Sequence, residues 1–322
     1  VVSALALAIA VLAQPTTMAT LLKGIDSVAT GERFSGVILI AESAGDMDFA
    51  HSYGMAMETR FVTASVAQTF TAVAVARLVQ DGKIALDAPL SRYLPDSVYP
   101  RERADHMTIR QLLTHTAGLG PGVVRLPQFR AAPQSFTSLN QVIALIRAQP
   151  LAGDTGRFAY TGADCDLLGA VIERVSGKPF AVYVRDRVFT PANMTNSTFD
   201  ITTNDARLPR IGLPEAVAYT NARDLVLFAS ALLRNPLPGL FTDTVTTGQE
   251  GPNHAYGYGF FVGTAGRNRI VNHGGTGPGI DNVFDMYPDL DLIVVILSNQ
   301  DPPAAQNIRQ YLRDGIASLP HQ

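Results

Sequence analysis

The sequence is poor in the residues that most readily announce chemistry. Among 322 residues there is no tryptophan and a single cysteine, Cys165. One thiol cannot close an intrachain disulfide or assemble a thiolate metal cluster, and no histidine stands beside it in sequence to make it a nucleophile. Cys165 therefore reads as a buried or half-buried structural thiol. Only three lysines occur, Lys23, Lys83 and Lys178, so arginine supplies most of the positive charge. Charged residues make up 16% of the chain and the formal net charge is −3. That leaves no extended basic field to attract nucleic acid or an anionic membrane, and neither is expected as a partner. Beyond the first thirteen residues, no run reaches the roughly 18 uninterrupted apolar residues of a membrane span. The histidines show no metal-ligand spacing, so neither a metal nor another cofactor is expected. There is no G-x-S-x-G elbow. The stretch Gly275-Thr276-Gly277-Pro278-Gly279 lacks the lysine and the strand-to-helix setting of a P-loop.

What is present is a large apolar fraction, 47%, enough to bury a substantial core. Residues 1–13, VVSALALAIAVLA, are uncharged, too short to span a bilayer comfortably and followed at once by Gln14-Pro15. They resemble the core of a partial signal peptide, with small residues at Val11 and Ala13 before a cleavage point. The expectation is an exported protein, periplasmic or extracellular, with no stable membrane span once the signal is removed.

Thr20 to Ala29 is a short amphipathic helix candidate. The β-branched run Val37-Ile38-Leu39-Ile40, a turn near Gly45-Asp46 and Phe49 to Tyr53 predict a hairpin. Helical periodicity then dominates, over Val66–Gln80, Thr108–Thr114, Leu139–Ala148, Ala163–Ser176 and Phe180–Val188, with Pro and Gly clusters between. Pro121 to Pro133 reads as a surface loop. Strands return at Gly259–Gly263, Arg269–Asn272, Asn282–Tyr287 and Leu292–Leu297, and Pro302-Pro303 opens a last helix, Ala304 to Ala317. The order predicts a mixed α and β fold: an antiparallel sheet built from both chain ends, flanked by helices, with an inserted all-helical subdomain. Residues 14–60 and 206–322 would form the sheet-and-helix part, residues 61–205 the helical part, and the active site would lie between them.

The segment FVTASVAQTFTA, Phe61 to Ala72, starts the first long helix, with Thr63 as a candidate N-cap and Ser65 in or just before the first turn. A serine there meets free backbone N–H groups and the positive end of the helix dipole, and Gln68 shares its face. Taken alone, such a serine reads as a cap. The longer stretch FVTASVAQTFTAVAVARLVQDGKIALDAPLSRYLP resembles the nucleophile region of the serine β-lactamase and penicillin-binding-protein superfamily, which includes class C β-lactamases, DD-peptidases and family VIII carboxylesterases. There S-x-x-K opens the central helix and G-K-x-x-L-D-x-P follows. MTIRQLLTHTAGL from Met107, YTGADCDLLGAVIERVSGKPF from Tyr160, NARDLVLFASALL from Asn221 and NHGGTGPGIDNVFDMYPDLDLIVVILSNQ from Asn272 continue the likeness in order, from about Ser35 to Asp301.

The resemblance implies roles. Ser65 takes the nucleophile's place and Tyr160 that of the Y-x-N tyrosine, a proton relay. His273-Gly274-Gly275 resembles the K-T-G motif in the H-x-G form of the esterase branch. The amides of Ser65 and Thr276 would form the oxyanion hole, and Gly162, Gly274 and Gly275 would border the substrate. His115 is assigned to structure. Two positions depart from the pattern. Gly162 replaces the Asn of Y-x-N, and Gln68 replaces the lysine that acts as general base; a carboxamide can neither accept the serine proton nor supply a cation. Tyr160 as phenolate or neutral His273 could stand in as base. Two functions follow as expectations. One is an acyl-enzyme serine hydrolase on a small-molecule ester, β-lactam or D-alanyl peptide, with esters favoured. The other is a catalytically impaired homologue that binds a peptidoglycan-like or peptide ligand.

Overall fold

The structure is a computed structural model that describes residues 17–319, apart from residues 45 and 204. The signal-like segment 1–13 lies outside the described residues, as does Gly45 of the expected hairpin turn.

The β-branched run near the N-terminus forms β1 (Gly36–Glu42), and β2 (Met47–Tyr53) folds back on it. Two-residue strands β3 (Phe61–Val62) and β4 (Tyr219–Thr220) pair with each other apart from the main sheet. The C-terminal part supplies β5 (Val245–Thr246), β6 (Ala255–Tyr256), β7 (Phe261–Ala265), β8 (Asn268–Gly277), β9 (Ile280–Tyr287) and β10 (Leu292–Ser298). The sheet runs β2-β1-β10-β9-β8-β7-β6-β5, antiparallel throughout. Its seam joins the two ends of the chain, with Gly36 opposite Ser298 and Glu42 opposite Leu292.

The six longer helices are α1 (Met18–Gly31), α2 (Ala67–Gln80), α3 (Leu139–Arg147), α4 (Ala163–Ser176), α5 (Ala222–Arg234) and α6 (Ala304–Ala317). Alternation along β10 explains why its sequence is apolar without a break. Ile293, Val295 and Leu297 enter the core under α2 and α5, while Leu292, Val294 and Ile296 enter a second core under α1 and α6. The helix α6 is fastened to the sheet by Asp285, whose carboxylate meets Arg309 at 2.6 Å and Arg313 at 2.9 Å. Burial alone would raise that carboxyl, but the two guanidinium charges hold it below its usual range. Among the described residues no helix is long and apolar enough to cross a membrane.

Helix α2 is the axis of the larger core and is buried on nearly every side. Its alanines let neighbouring elements approach closely, and its buried hydroxyls are absorbed locally, Thr69 donating to Val66 O at 2.7 Å and Thr71 to Pro214 O at 2.9 Å. Gly82, at φ +70°, ends the helix as a C′ glycine. Three local expectations need correction. Thr63 is not an N-cap: its backbone is already helical and its hydroxyl instead accepts from Ala218 N at 3.2 Å. The segment from Pro121 to Pro133 is not a plain surface loop. It folds into a turn, Val123–Arg125, and a short helix, Pro127–Ala131, and buries Val123 and Phe129. The helix expected over Phe180–Val188 ends at Val184 and continues as a wider π turn, Arg185–Phe189.

Phe70 locks α2 to its surroundings, with ring centroids 5.0 Å from Phe189 and 4.9 Å from Phe228 in edge-on geometry. Truncation by Phe70→Ala is expected to lower the unfolding free energy by about 3–5 kcal/mol, read from urea denaturation midpoints.

Candidate active site

The chain enters α2 through a single 3₁₀ turn, Ala64–Val66, and this turn is strained. Ala64 has φ +44°, a left-handed conformation that costs a residue with a Cβ roughly 1–2 kcal/mol. The strain is held by neighbours on both sides. The Asn282 amide on β9 donates to Val62 O at 2.9 Å and Thr63 O at 3.2 Å, and Thr63 N donates to Ala218 O at 3.0 Å. The turn leaves Ser65 half-buried on the wall of a cleft of about 360 Å³.

The facing wall is the edge of β8. Strand β7 pairs with β8 only as far as Phe261 opposite Asn272, so from His273 to Gly277 the ladder continues on the β9 side alone. That edge comes so near the serine turn that a Cβ on Gly275 would lie 2.2 Å from Thr63 O and 3.2 Å from Ser65 N. Glycine is obligatory there for steric reasons. Gly274 points to the opposite face, where its Cβ would be 3.7 Å from Arg309 Nη1, and Thr276 lies exposed at the rim.

Tyr160, in the loop before α4, reaches the cleft floor. Gln68 Nε2 donates to the Tyr160 hydroxyl at 2.8 Å, and Ser65 is also within hydrogen-bond reach of it. Burial pushes the phenol well above its usual range, more than these two bonds lower it. Tyr160 is therefore a neutral phenol near pH 7, not a phenolate. Gln68 is 1% exposed and its Oε1 has no partner among the described residues.

His273 lines the same cleft, but neither ring nitrogen is free. Nδ1 lies 2.7 Å from Gly274 O, a carbonyl that can only accept, so Nδ1 carries the proton. Burial lowers the imidazole to about 4, so Nε2 is unprotonated and accepts from the Tyr256 hydroxyl at 3.3 Å. Tyr256 in turn accepts from His115 Nε2 at 3.1 Å. Burial lowers His115 to about 3 and raises Asp164, so the neutral Asp164 carboxyl donates to His115 Nδ1 at 2.8 Å. The row Asp164, His115, Tyr256, His273, Gly274 O runs in one direction. The expectation that neutral His273 could accept the Ser65 proton is corrected on this ground: its lone pair is already occupied.

One cleft residue carries no signal in the sequence motifs. Glu215 is 3% exposed, and its Oε1 accepts from Val124 N at 3.0 Å. A Cβ on Gly162 would lie 1.6 Å from Glu215 Oε2, so this carboxylate fills the volume that a side chain at 162 would take. Burial raises Glu215 to about 7, and Asp166 beneath it is raised further by burial and by the Glu215 charge. The glycine at 162 was the only hint that something else occupies its place. The structure thus brings Ser65, Gln68, Tyr160, Gly162, His273, Gly274 and Thr276 to one cleft, with Gly275 as its point of closest approach. A wider groove of about 1070 Å³ continues from it past Ala64 and Thr276, walled by Phe61, Phe129, Leu208 and Tyr219. Among the described residues no group of three His, Cys, Asp or Glu side chains could hold a metal ion.

Because Gly275 sets the gap between β8 and the serine turn, Gly275→Ala is expected to lower covalent labelling of Ser65 by a fluorophosphonate about 100-fold, the scale of a displacement near 1 Å. Cooperative thermal unfolding should persist, since the change lies at a strand edge.

Comparison with known proteins follows the same lines. The chain is similar to protein flp of Staphylococcus aureus strain N315, 24% identical over 314 residues that cover 88% of this chain and 61% of the relative. It therefore spans about three fifths of that protein's length. It is 31% identical to esterase EstB of Burkholderia gladioli over 195 residues, 54% of this chain and 49% of the esterase. The structure superposes on a penicillin-binding protein from Bacillus halodurans with a TM-score of 0.78 and 27% identity, covering 89% of this chain and 97% of that one. The beta-lactamase family model matches residues 20–317, from within α1 to the last residue of α6, and the chain belongs to the beta-lactamase family of serine-hydrolase fold.

Proposed function

We propose that the protein is a serine hydrolase that forms an acyl-enzyme at Ser65, with small esters as preferred substrates over β-lactams and D-alanyl peptides. The observation that carries this reading is the contact between the Gly275 edge and the strained turn at Ser65. It sets a backbone N–H of the nucleophile against an unpaired strand edge, where a carbonyl oxygen can gather donors. With the amides of Ser65 and Thr276 on the developing oxyanion, each donor supplies roughly 3 kcal/mol.

Loss of the motif lysine constrains the proton path. Tyr160 is neutral, so acylation proceeds by exchange: its oxygen takes the Ser65 proton while its own proton passes to the leaving alkoxide. An ester leaving group suits this path because an alkoxide accepts a proton readily. His273 in place of the K-T-G lysine leaves that position neutral, which favours esters over carboxylate-bearing β-lactams. The similarity to an esterase supports the same choice. Residues 1–13 support export to the periplasm or the exterior.

A second reading is favoured by Gln68, which keeps Tyr160 hydrogen-bonded but uncharged. On it the cleft binds a peptidoglycan-like or peptide ligand without turnover. A chromogenic acetate ester separates the two. Turnover by the native chain and none by Ser65→Ala supports the hydrolase; equal rates in both proteins would sink it. Restoring the lysine by Gln68→Lys is expected to raise acylation about 100-fold or more, the scale of a positioned base. A native chain that is never labelled at Ser65, beside a Gln68→Lys chain that is, would rule out the hydrolase and leave the binding reading.

A further inference from the structure

The departure at Gly162 is filled by Glu215, in the same cleft that Gln68 lines. Without a side chain at 162, the Glu215 carboxylate moves into the cleft wall; with one, Oε2 would be displaced, since the added Cβ would lie 1.6 Å away. A Cβ on Gly122, across the same carboxylate, would lie 2.0 Å from Oε2. Two glycines thus clear a seat for one carboxylate in a cleft shared with Ser65 and Tyr160. The cleft carries Gln68 where the motif has lysine, and it holds a carboxylate at Glu215.

We propose that Glu215 is the general base for hydrolysis of the acyl-enzyme, taking a proton from the water that attacks the acyl carbon on Ser65. The proposal rests on the serine-hydrolase reading. Glu215 removes one proton as the water oxygen bonds to the acyl carbon. The tetrahedral intermediate collapses by breaking the bond to Ser65 Oγ and releases the acid. Tyr160 returns a proton to Oγ, and the Glu215 carboxyl restores the proton of Tyr160.

The surroundings tune the group for this work. Asp166 from α4 lies beneath it with a carboxyl raised by burial and by the Glu215 charge, Arg125 adds a positive charge from the turn Val123–Arg125, and Tyr160 and Cys165 face it as neutral groups. Burial raises Glu215 to about 7 against the lowering effect of the Val124 and Val123 amides, the Asp166 proton and Arg125. A carboxyl raised by burial exchanges its proton nearer neutrality than a free glutamate does, where general-base catalysis is most effective. Its carboxylate form is present above pH 7 and is lost as pH falls, so acyl-enzyme hydrolysis should rise with pH through that region. A purely structural Glu215 would be replaced well by glutamine, which keeps an acceptor for Val124 N.

The test is stopped-flow hydrolysis of the chromogenic acetate ester with intact-mass analysis, on the native chain, Glu215→Gln and Gly162→Ala. The native chain is expected to show steady turnover that climbs through pH 7. In both variants the initial burst should remain while the steady rate falls about 100-fold, the acetyl-enzyme should accumulate in the mass spectrum, and the pH rise should disappear. Gly162→Ala keeps every ionisable group and drives the Glu215 side chain from its seat, since the added Cβ would lie 1.6 Å from Oε2, 2.6 Å from Cδ and 2.8 Å from Cβ, so it serves as the second variant if Glu215→Gln does not fold. Native turnover and an unchanged pH profile in a folded Glu215→Gln would overturn the role of Glu215 and leave Ser65 untouched. Loss of burst and turnover together in folded variants would also overturn it. A native chain that never acylates would remove the hydrolase reading as well.

Discussion

The structure depends on one backbone-to-backbone approach, that of the β8 edge to the turn carrying Ser65. No side chain intervenes at Gly275, so a strand and a helix entrance are held closer than ordinary packing allows. The rest of the molecule serves this gap. The long seam of β1 on β10 unites the chain ends into the sheet that carries β8 and β9. The Asn282 amide reaches from β9 to the carbonyls of residues 62 and 63, and the core around Phe70 keeps α2 from sliding along its axis. A left-handed alanine persists at residue 64 only because these contacts over-determine it.

Much of the fold was legible because its signals are local. The unbroken run from Leu292 to Leu297 can only be a strand buried on both faces or a helix segment, and its length and β-branching decide for the strand. The helix from Ala163 to Ser176 ends on Gly177 at φ +69°, and the last helix begins after consecutive prolines, so both could be bounded closely. The two-residue strands β5 and β6 left no such trace, being too short for an alternating pattern. The segment after Pro121 was misread because its prolines suggest a loop, whereas the burial of Val123 and Phe129 that organises it depends on distant partners.

The cleft divides in the same way. Ser65, Tyr160 and His273 could be placed through contiguous motifs, and the structure gathers them. Glu215 could not, because it follows Pro214 in an aperiodic stretch and its meaning comes from a glycine more than fifty positions earlier. Linear motifs report a missing side chain at once. They do not report what moves into the space, because that is a property of volume rather than of order along the chain. The glycine at residue 162 is therefore understood together with the Glu215 carboxylate that occupies its side-chain volume.

The buried row from Asp164 to the Gly274 carbonyl is oriented like a line of arrows, because its last member is a peptide oxygen that can never give a proton back. Reversal would demand that every link turn together and would leave that oxygen facing a bare nitrogen. The row thus ends at the Gly274 carbonyl and can pass no proton beyond it. The Tyr160 hydroxyl stands outside this row, hydrogen-bonded to Gln68 and within reach of Ser65.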